Sequence, residues 1–195
     1  NEVVCVAASK DFHVAVSGTS GGFLIVQSLE KGKMTNYIDL KENRKPSQIL
    51  VTRGWGFIVV YTTRKSDNKI VHEILVFTFL GDLIGQREIG DRLTKLITFT
   101  SHDGFDFVIM ALANGTIAAF EAFYVNVDYI VLATSNPENG QETSRHLPPD
   151  FGCENNEIVL ISYSIDKGNL LAVSKKGKIV LLTNVFFQTN RIMKV

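Results

Sequence analysis

Short apolar runs, broken by glycine, asparagine, aspartate and serine, recur along the chain. Val3–Ala7, Val14–Ser17, Phe23–Gln27, Ile49–Thr52, Phe57–Thr63, Ile70–Phe79, Leu93–Thr100, Phe105–Leu112 and Ile117–Phe123 all have the length and residue types of strands. Polar turn residues between β-branched and aromatic runs let the chain reverse while its apolar face stays buried. No window of a dozen residues carries a period near 3.6, so helices are expected to be few or short. Thirteen Phe, with many Val and Ile, suit a pleated and half-buried surface. The pattern predicts an all-β protein.

Glycine turns then reveal a repeat. Thr19-Ser20-Gly21-Gly22, Ala113-Asn114-Gly115 and Lys175-Lys176-Gly177 each follow one apolar strand and introduce another. A fourth unit has a longer turn, Arg64 to Lys69. Aligning the strands after these turns brings Gln27, Phe77, Phe120 and Leu182 into register, at spacings of 50, 43 and 62. Propeller repeats of the WD40 type recur every ~40–45 residues. The long last interval is explained by a polar insertion at 134–156. The expected fold is a partial WD40-like β-propeller of about three to four degenerate blades. Its blade-like units are 3–40, 46–90, 93–125 and 157–184. They are degenerate because the usual Trp-Asp end of the third strand is missing, and only Phe120-Glu121 keeps an aromatic followed by an acid. A closed ring needs ~4–8 blades of four strands, so closure by this chain alone is not expected.

Composition narrows the function. Twenty basic and twenty acidic residues give a formal charge of zero, without the basic excess of a nucleic-acid binder. Apolar runs such as Phe57–Tyr61 and Phe107–Ala113 fall well short of the ~20 residues of a membrane helix. Cys5 and Cys153 do not make a disulfide framework and suit a reducing compartment. The opening residue is Asn1 rather than Met and no signal-peptide pattern follows, so the expectation is a cytoplasmic fragment of a longer protein. His13, His72, His102 and His146 have no metal-ligand spacing, and no phosphate or dinucleotide fingerprint occurs. No metal, cofactor or small-molecule substrate is expected.

A few local patterns remain. Gly18-Thr19-Ser20-Gly21-Gly22 satisfies G-x-S-x-G, in which a strand turning into a helix exposes a nucleophilic serine. Here β-type residues follow instead of a helix, so a hairpin turn is the better reading. His13 and His72 are expected on strands, and Arg44-Lys45 on a solvated surface. The segment Thr134–Asn156 holds three of the four prolines and more acids than bases, and reads as a solvated insertion or a docking loop. Trp55, between Gly54 and Gly56, is expected either as a core aromatic entering the next strand, the favoured reading, or as an exposed anchor. Contact with protein partners is expected on loops, at Trp55, His102, Asp103, Arg145 and His146, with the turn from Arg64 to Lys69 as a further candidate.

Several stretches together resemble the C-terminal WD40 region of BEACH-domain (Beige-type) proteins. They are Val3-Val4-Cys5-Val6, Phe12 to Thr19, Gly22 to Val26, Ile49 to Phe57, Gly104 to Val108 and Phe120-Glu121-Ala122-Phe123. The similarity runs over about residues 3–125 and is weaker over 157–183. It implies a non-enzymatic scaffold acting in vesicle trafficking, lysosome-related organelles or autophagy, with the propeller as protein-docking platform. It also implies a cytoplasmic protein, peripheral on intracellular membranes only through the rest of the parent molecule. The BEACH domain itself is absent from these residues. Two alternatives stand beside it: a serine hydrolase using Ser20, and an incomplete propeller fragment with no independent activity.

Overall fold

The computed structural model describes residues 2–67, 69–127, 129–136, 138 and 145–185. Its residues form two compact units. The first comprises Asn1–Gly90 with Ala122–Asn126, and the second Asp91–Glu121 with Val127–Val195.

The first unit contains two four-stranded antiparallel meanders. One is β1 (Val3–Ser9), β2 (Val14–Thr19), β3 (Phe23–Ser28) and β4 (Met34–Asp39), in that spatial order. The other is β5 (Lys45–Val51), β6 (Ile58–Ser66), β7 (Lys69–Phe77) and β8 (Leu83–Ile89). Val16, Leu24 and Val26 from one sheet join Ile58, Val60 and Leu75 from the other in a single apolar core. Each such side chain contributes about 1.5–3 kcal/mol by leaving water. The sheets meet closely at Gly18, where an added Cβ would stand 2.7 Å from the Cys5 sulfur and 3.0 Å from Ile49 Cδ1.

The second unit opens with β9 (Leu93–Thr100), β10 (Asp106–Leu112), β11 (Thr116–Glu121) and β12 (Ile130–Thr134), with the two-residue β13 (Arg145–His146) parallel to β12. Three strands follow as a separate antiparallel sheet: β14 (Ile158–Ser164), β15 (Asn169–Ser174) and β16 (Ile179–Leu182). Ile109, Ile117, Phe151, Ile158 and Leu170 share its core. Gln27, Phe77, Phe120 and Leu182 all fall on the third strand of their sheets, β3, β7, β11 and β16. The fold is all-β, four sheets resembling blades.

Several expectations change. The strands β4, β8 and β12 escaped the sequence pattern because they are short or polar along one side, as in the exposed–buried alternation of β4. The run Ile117–Phe123 is a strand only to Glu121, and Ala122–Tyr124 winds into a 3-10 turn. His13 lies in the β1–β2 turn at φ 52° instead of on a strand, while His72 is on β7. The insertion at 134–156 falls partly outside the described residues, at 137 and 139–144, and elsewhere it is not simply solvated. Leu147, Phe151 and Asn156 are buried, and Asn156 Nδ2 donates to the Asp150 carbonyl. Arg44, expected on a solvated surface, is 5% exposed, because Glu73 on β7 receives its guanidinium inside the sheet.

Candidate interaction site around Trp55

Four of the six strand-to-strand loops of the two meanders in the first unit, between β1 and β2, β3 and β4, β5 and β6, and β7 and β8, lie at one end. The β5–β6 loop is pinched at its base: Thr52 N–H donates to the Phe57 carbonyl at 2.9 Å, and Phe57 N–H donates to Thr52 Oγ1 at 2.9 Å. Between them Arg53-Gly54-Trp55-Gly56 is held out, with Trp55 67% exposed. This overturns the core placement favoured from sequence. Phe57 takes the core position and the indole is left at the tip.

Gly56 is required by this arrangement. Its φ is +72°, a left-handed conformation that side chains oppose. A Cβ there would also lie 2.6 Å from Phe79 and 3.0 Å from Phe12. Those two rings stand edge to face with centroids 5.4 Å apart, and join the β1–β2 loop to the β7–β8 loop. Asn36 Nδ2 adds a bond to the Phe79 carbonyl, and Leu29 N–H donates to the His13 carbonyl. The β7–β8 loop is pinched like its neighbour, with Thr78 N–H on the Asp82 carbonyl, and Leu80 at its tip is 84% exposed. Phe123 packs against Phe57 and is itself exposed.

Rigid loops with an exposed Trp and Leu over an aromatic base suit docking. Truncating buried interface Trp residues is often costly, and loops already fixed lose little entropy on binding. Phe12, Phe79 and Leu80 were not among the contact residues expected from the sequence. The one available signal was Phe79-Leu80 placed directly before Gly81-Asp82, an apolar pair where a turn is due.

The other four expected contact residues lie in the second unit. His102 and Asp103 are exposed in the β9–β10 turn, with His102 Nε2 3.6 Å from Asp166 Oδ1. Arg145 donates to the Asn184 carbonyl, and His146 is exposed on β13. Arg64 points inward to Glu73 and along the sheet to Glu88, so the turn it introduces offers less than expected. Asn68 of that turn lies outside the described residues.

The groups with potential chemistry sit apart from this loop end. Ser20 occupies the β2–β3 hairpin, where its Oγ accepts from Glu2 N–H at 3.1 Å, and β3 follows it directly. Burial pushes the Cys5 thiol up, and a hydrogen bond from Gly18 only partly opposes it. Among the described residues no group of three or more His, Cys, Asp or Glu is placed to hold a metal ion. A polar hollow of about 260 Å³ lies where the β2–β3 turn meets Asp39 to Arg44, below the ~300–1,000 Å³ of ordinary small-molecule sites.

No family model and no curated protein matches the chain. Among solved structures, a computationally designed protein, Ika4, superposes over 94% of this chain and 91% of its own with a TM-score of 0.54 and 15% identity. At that identity the likeness is one of fold alone. Since 909 solved chains match, the fold selects no function. The chain has a propeller-like all-β fold.

Proposed function

We propose that the chain is a non-enzymatic protein-interaction module that docks partners on the loop end of its first unit. One observation carries the reading: Trp55 is held out at 67% exposure on a pinched loop whose neighbour Gly56 has no room for a side chain. A tryptophan kept out of the core by a left-handed turn that only glycine fits is better suited to a partner than to folding. The hydrolase alternative is weaker, since Ser20 sits in a hairpin rather than at a strand-to-helix elbow.

The finer reading makes the module the WD40-like propeller portion of a BEACH-type scaffold in vesicle trafficking, lysosome-related organelles or autophagy. Its support is the set of resembling stretches, of which Ile49–Phe57 supplies the Trp55 loop. A BEACH-coding region upstream in the same transcript is its direct test, and a transcript without one removes it.

Immobilised chain carrying Trp55→Ala with Leu80→Ser is expected to lose at least one cytosolic protein that the wild type captures, with its melting temperature unchanged. Arg145→Glu with His146→Glu, in the same capture, measures the contribution of the second unit. Identical capture by the Trp55 double variant and the wild type overturns the proposed site.

A further inference from the structure

We infer that a second copy of this chain docks head to tail on the first, the uncovered face of its β1–β4 sheet seated on the uncovered face of its neighbour's β14–β16 sheet. This is separate from the loop end around Trp55 and rests on packing that the first unit already shows. There the β1–β4 sheet contributes Val16, Leu24 and Val26 to the shared core, and the β5–β8 sheet answers with Ile49, Val60 and Leu75. Val16 pairs with Val26 across the strands, and Ile49, Val60 and Leu75 pair in one row, so each set lies on one face of its sheet.

The sheets repeat one another, with Gln27, Phe77 and Leu182 at the same place on their third strands. In that register Ile49, Val60 and Leu75 correspond to Val6, Ser17 and Ile25, which pair across β1, β2 and β3 in the same row. Val16, Leu24 and Val26 correspond to Leu171, Ile179 and Leu181 on β15 and β16, where Leu171 again pairs with Leu181. Both of these corresponding faces are open. Val6 is 62% exposed, Ile179 67% and Leu181 55%, while Ser17, Ile25 and Leu171 are half-buried. Leu160 and Val173 extend the β14–β16 face, and Tyr37 beside Ile25 extends the other. None of these residues is charged, although the solvated face of an antiparallel sheet is ordinarily polar. Exposed apolar patches of this kind mark interaction surfaces.

The chain therefore carries both halves of an interface that it already forms once inside its first unit. The other side of the β14–β16 sheet is taken, since Leu170 and Leu182 share a core with Ile109 and Ile117. A second copy supplies the matching partner to each open face, and it does so by continuing the same sheet-on-sheet contact. Such a junction joins two unlike faces and is heterologous. Pairing either face with itself about a two-fold axis would set Ile25 against Ile25 or Leu181 against Leu181, whereas the sheets of the first unit join unlike faces.

Sedimentation of the full chain over a dilution series tests this, and its mass is expected to rise above that of one chain with concentration. Val6→Glu and Leu181→Glu, both at exposed positions, should each raise the dissociation constant at least about tenfold, because either buries an unpaired carboxylate in the junction. Melting of the dilute chain should not change. Should either variant melt early, Val6→Gln and Leu181→Gln, which bury no charge, carry the same test. Mixing the two variants is expected to restore association, since each keeps the face that the other has lost. Loss in only one variant, or no recovery on mixing, would overturn the head-to-tail junction in favour of self-pairing. A single chain at every concentration up to about 1 mM would overturn the inference altogether. Binding of that single chain to phosphatidylcholine vesicles would then give the faces to a bilayer, and no binding would leave them to further sheets of a longer chain.

Discussion

Two glutamates are buried to nearly the same degree, one in each unit, and their surroundings drive them in opposite directions. Glu73 on β7 is 2% exposed and Glu121 at the end of β11 is 3% exposed. Burial alone would raise the Glu73 carboxyl, but hydrogen bonds and charge from Arg44 and Arg64 outweigh it and hold the group below its ordinary range. Arg44 Nε reaches Glu73 Oε2 at 2.9 Å and Arg64 Nε reaches Oε1 at 3.1 Å. Arg44 also donates to the Leu40 carbonyl and to Gln86 Oε1, so its fork is well used. Glu121 has no such partner. Burial raises it first and the neighbouring Asp106 carboxylate raises it further, while its Oε2 has no hydrogen-bond partner among the described residues. Asp106 itself accepts from the Thr100 hydroxyl at 2.6 Å. Burial sets the penalty for charge, and the partners decide whether the charge stays.

The largest break in this comparison is Glu73→Ala. It leaves buried Arg44 with only the exposed Glu42, 2.9 Å from its Nη2, as counter-charge, and is expected to cost about 3 kcal/mol, read as a lower urea midpoint. A loss below about 1 kcal/mol would mean that water replaces the carboxylate readily.

The pH dependence sharpens the contrast. Glu73 is lowered in the folded state, so its contribution is present above the unfolded value near 4.5 and is lost as pH falls through the lower folded value. Glu121 is raised, so its contribution is present below 4.5 and is lost as pH climbs from there through the folded value. Glu121→Gln, isosteric and uncharged, should raise the melting temperature at neutral pH and flatten the decline above pH 4.5. A melting temperature that falls at neutral pH would show that the ionised carboxylate has a partner. The smallest effect is expected at Glu88, 66% exposed and paired to Arg64 at 2.9 Å. Glu88→Ala should change stability by less than about 0.5 kcal/mol and lose even that in high salt.

The same contrast between local and distant partners explains what could be read in advance. Strands such as β6 and β10, apolar on both faces, announced themselves, and Gly115 and Gly177 marked their hairpins at φ +77° and +78°. The outer strand β8, with Gln86, Arg87 and Glu88 in its middle, gave no such signal because only part of it is buried. Trp55 was singled out by its flanking glycines, but its direction depended on Phe12 and Phe79, 43 and 24 residues away in sequence. Arg44 looked like any surface cation, since the carboxylate that buries it is 29 residues distant, on a strand two places across the sheet.

The amino-acid sequence by itself determined the all-β class, the turns that precede the third strands and the register of those strands, because these follow from side-chain alternation and backbone freedom over a few neighbouring residues. Tertiary structure decided which loops meet, which aromatic faces outward and which buried carboxylate keeps its charge. Each of those depends on groups far apart in sequence, whose distance and shielding from water exist only once the sheets have packed.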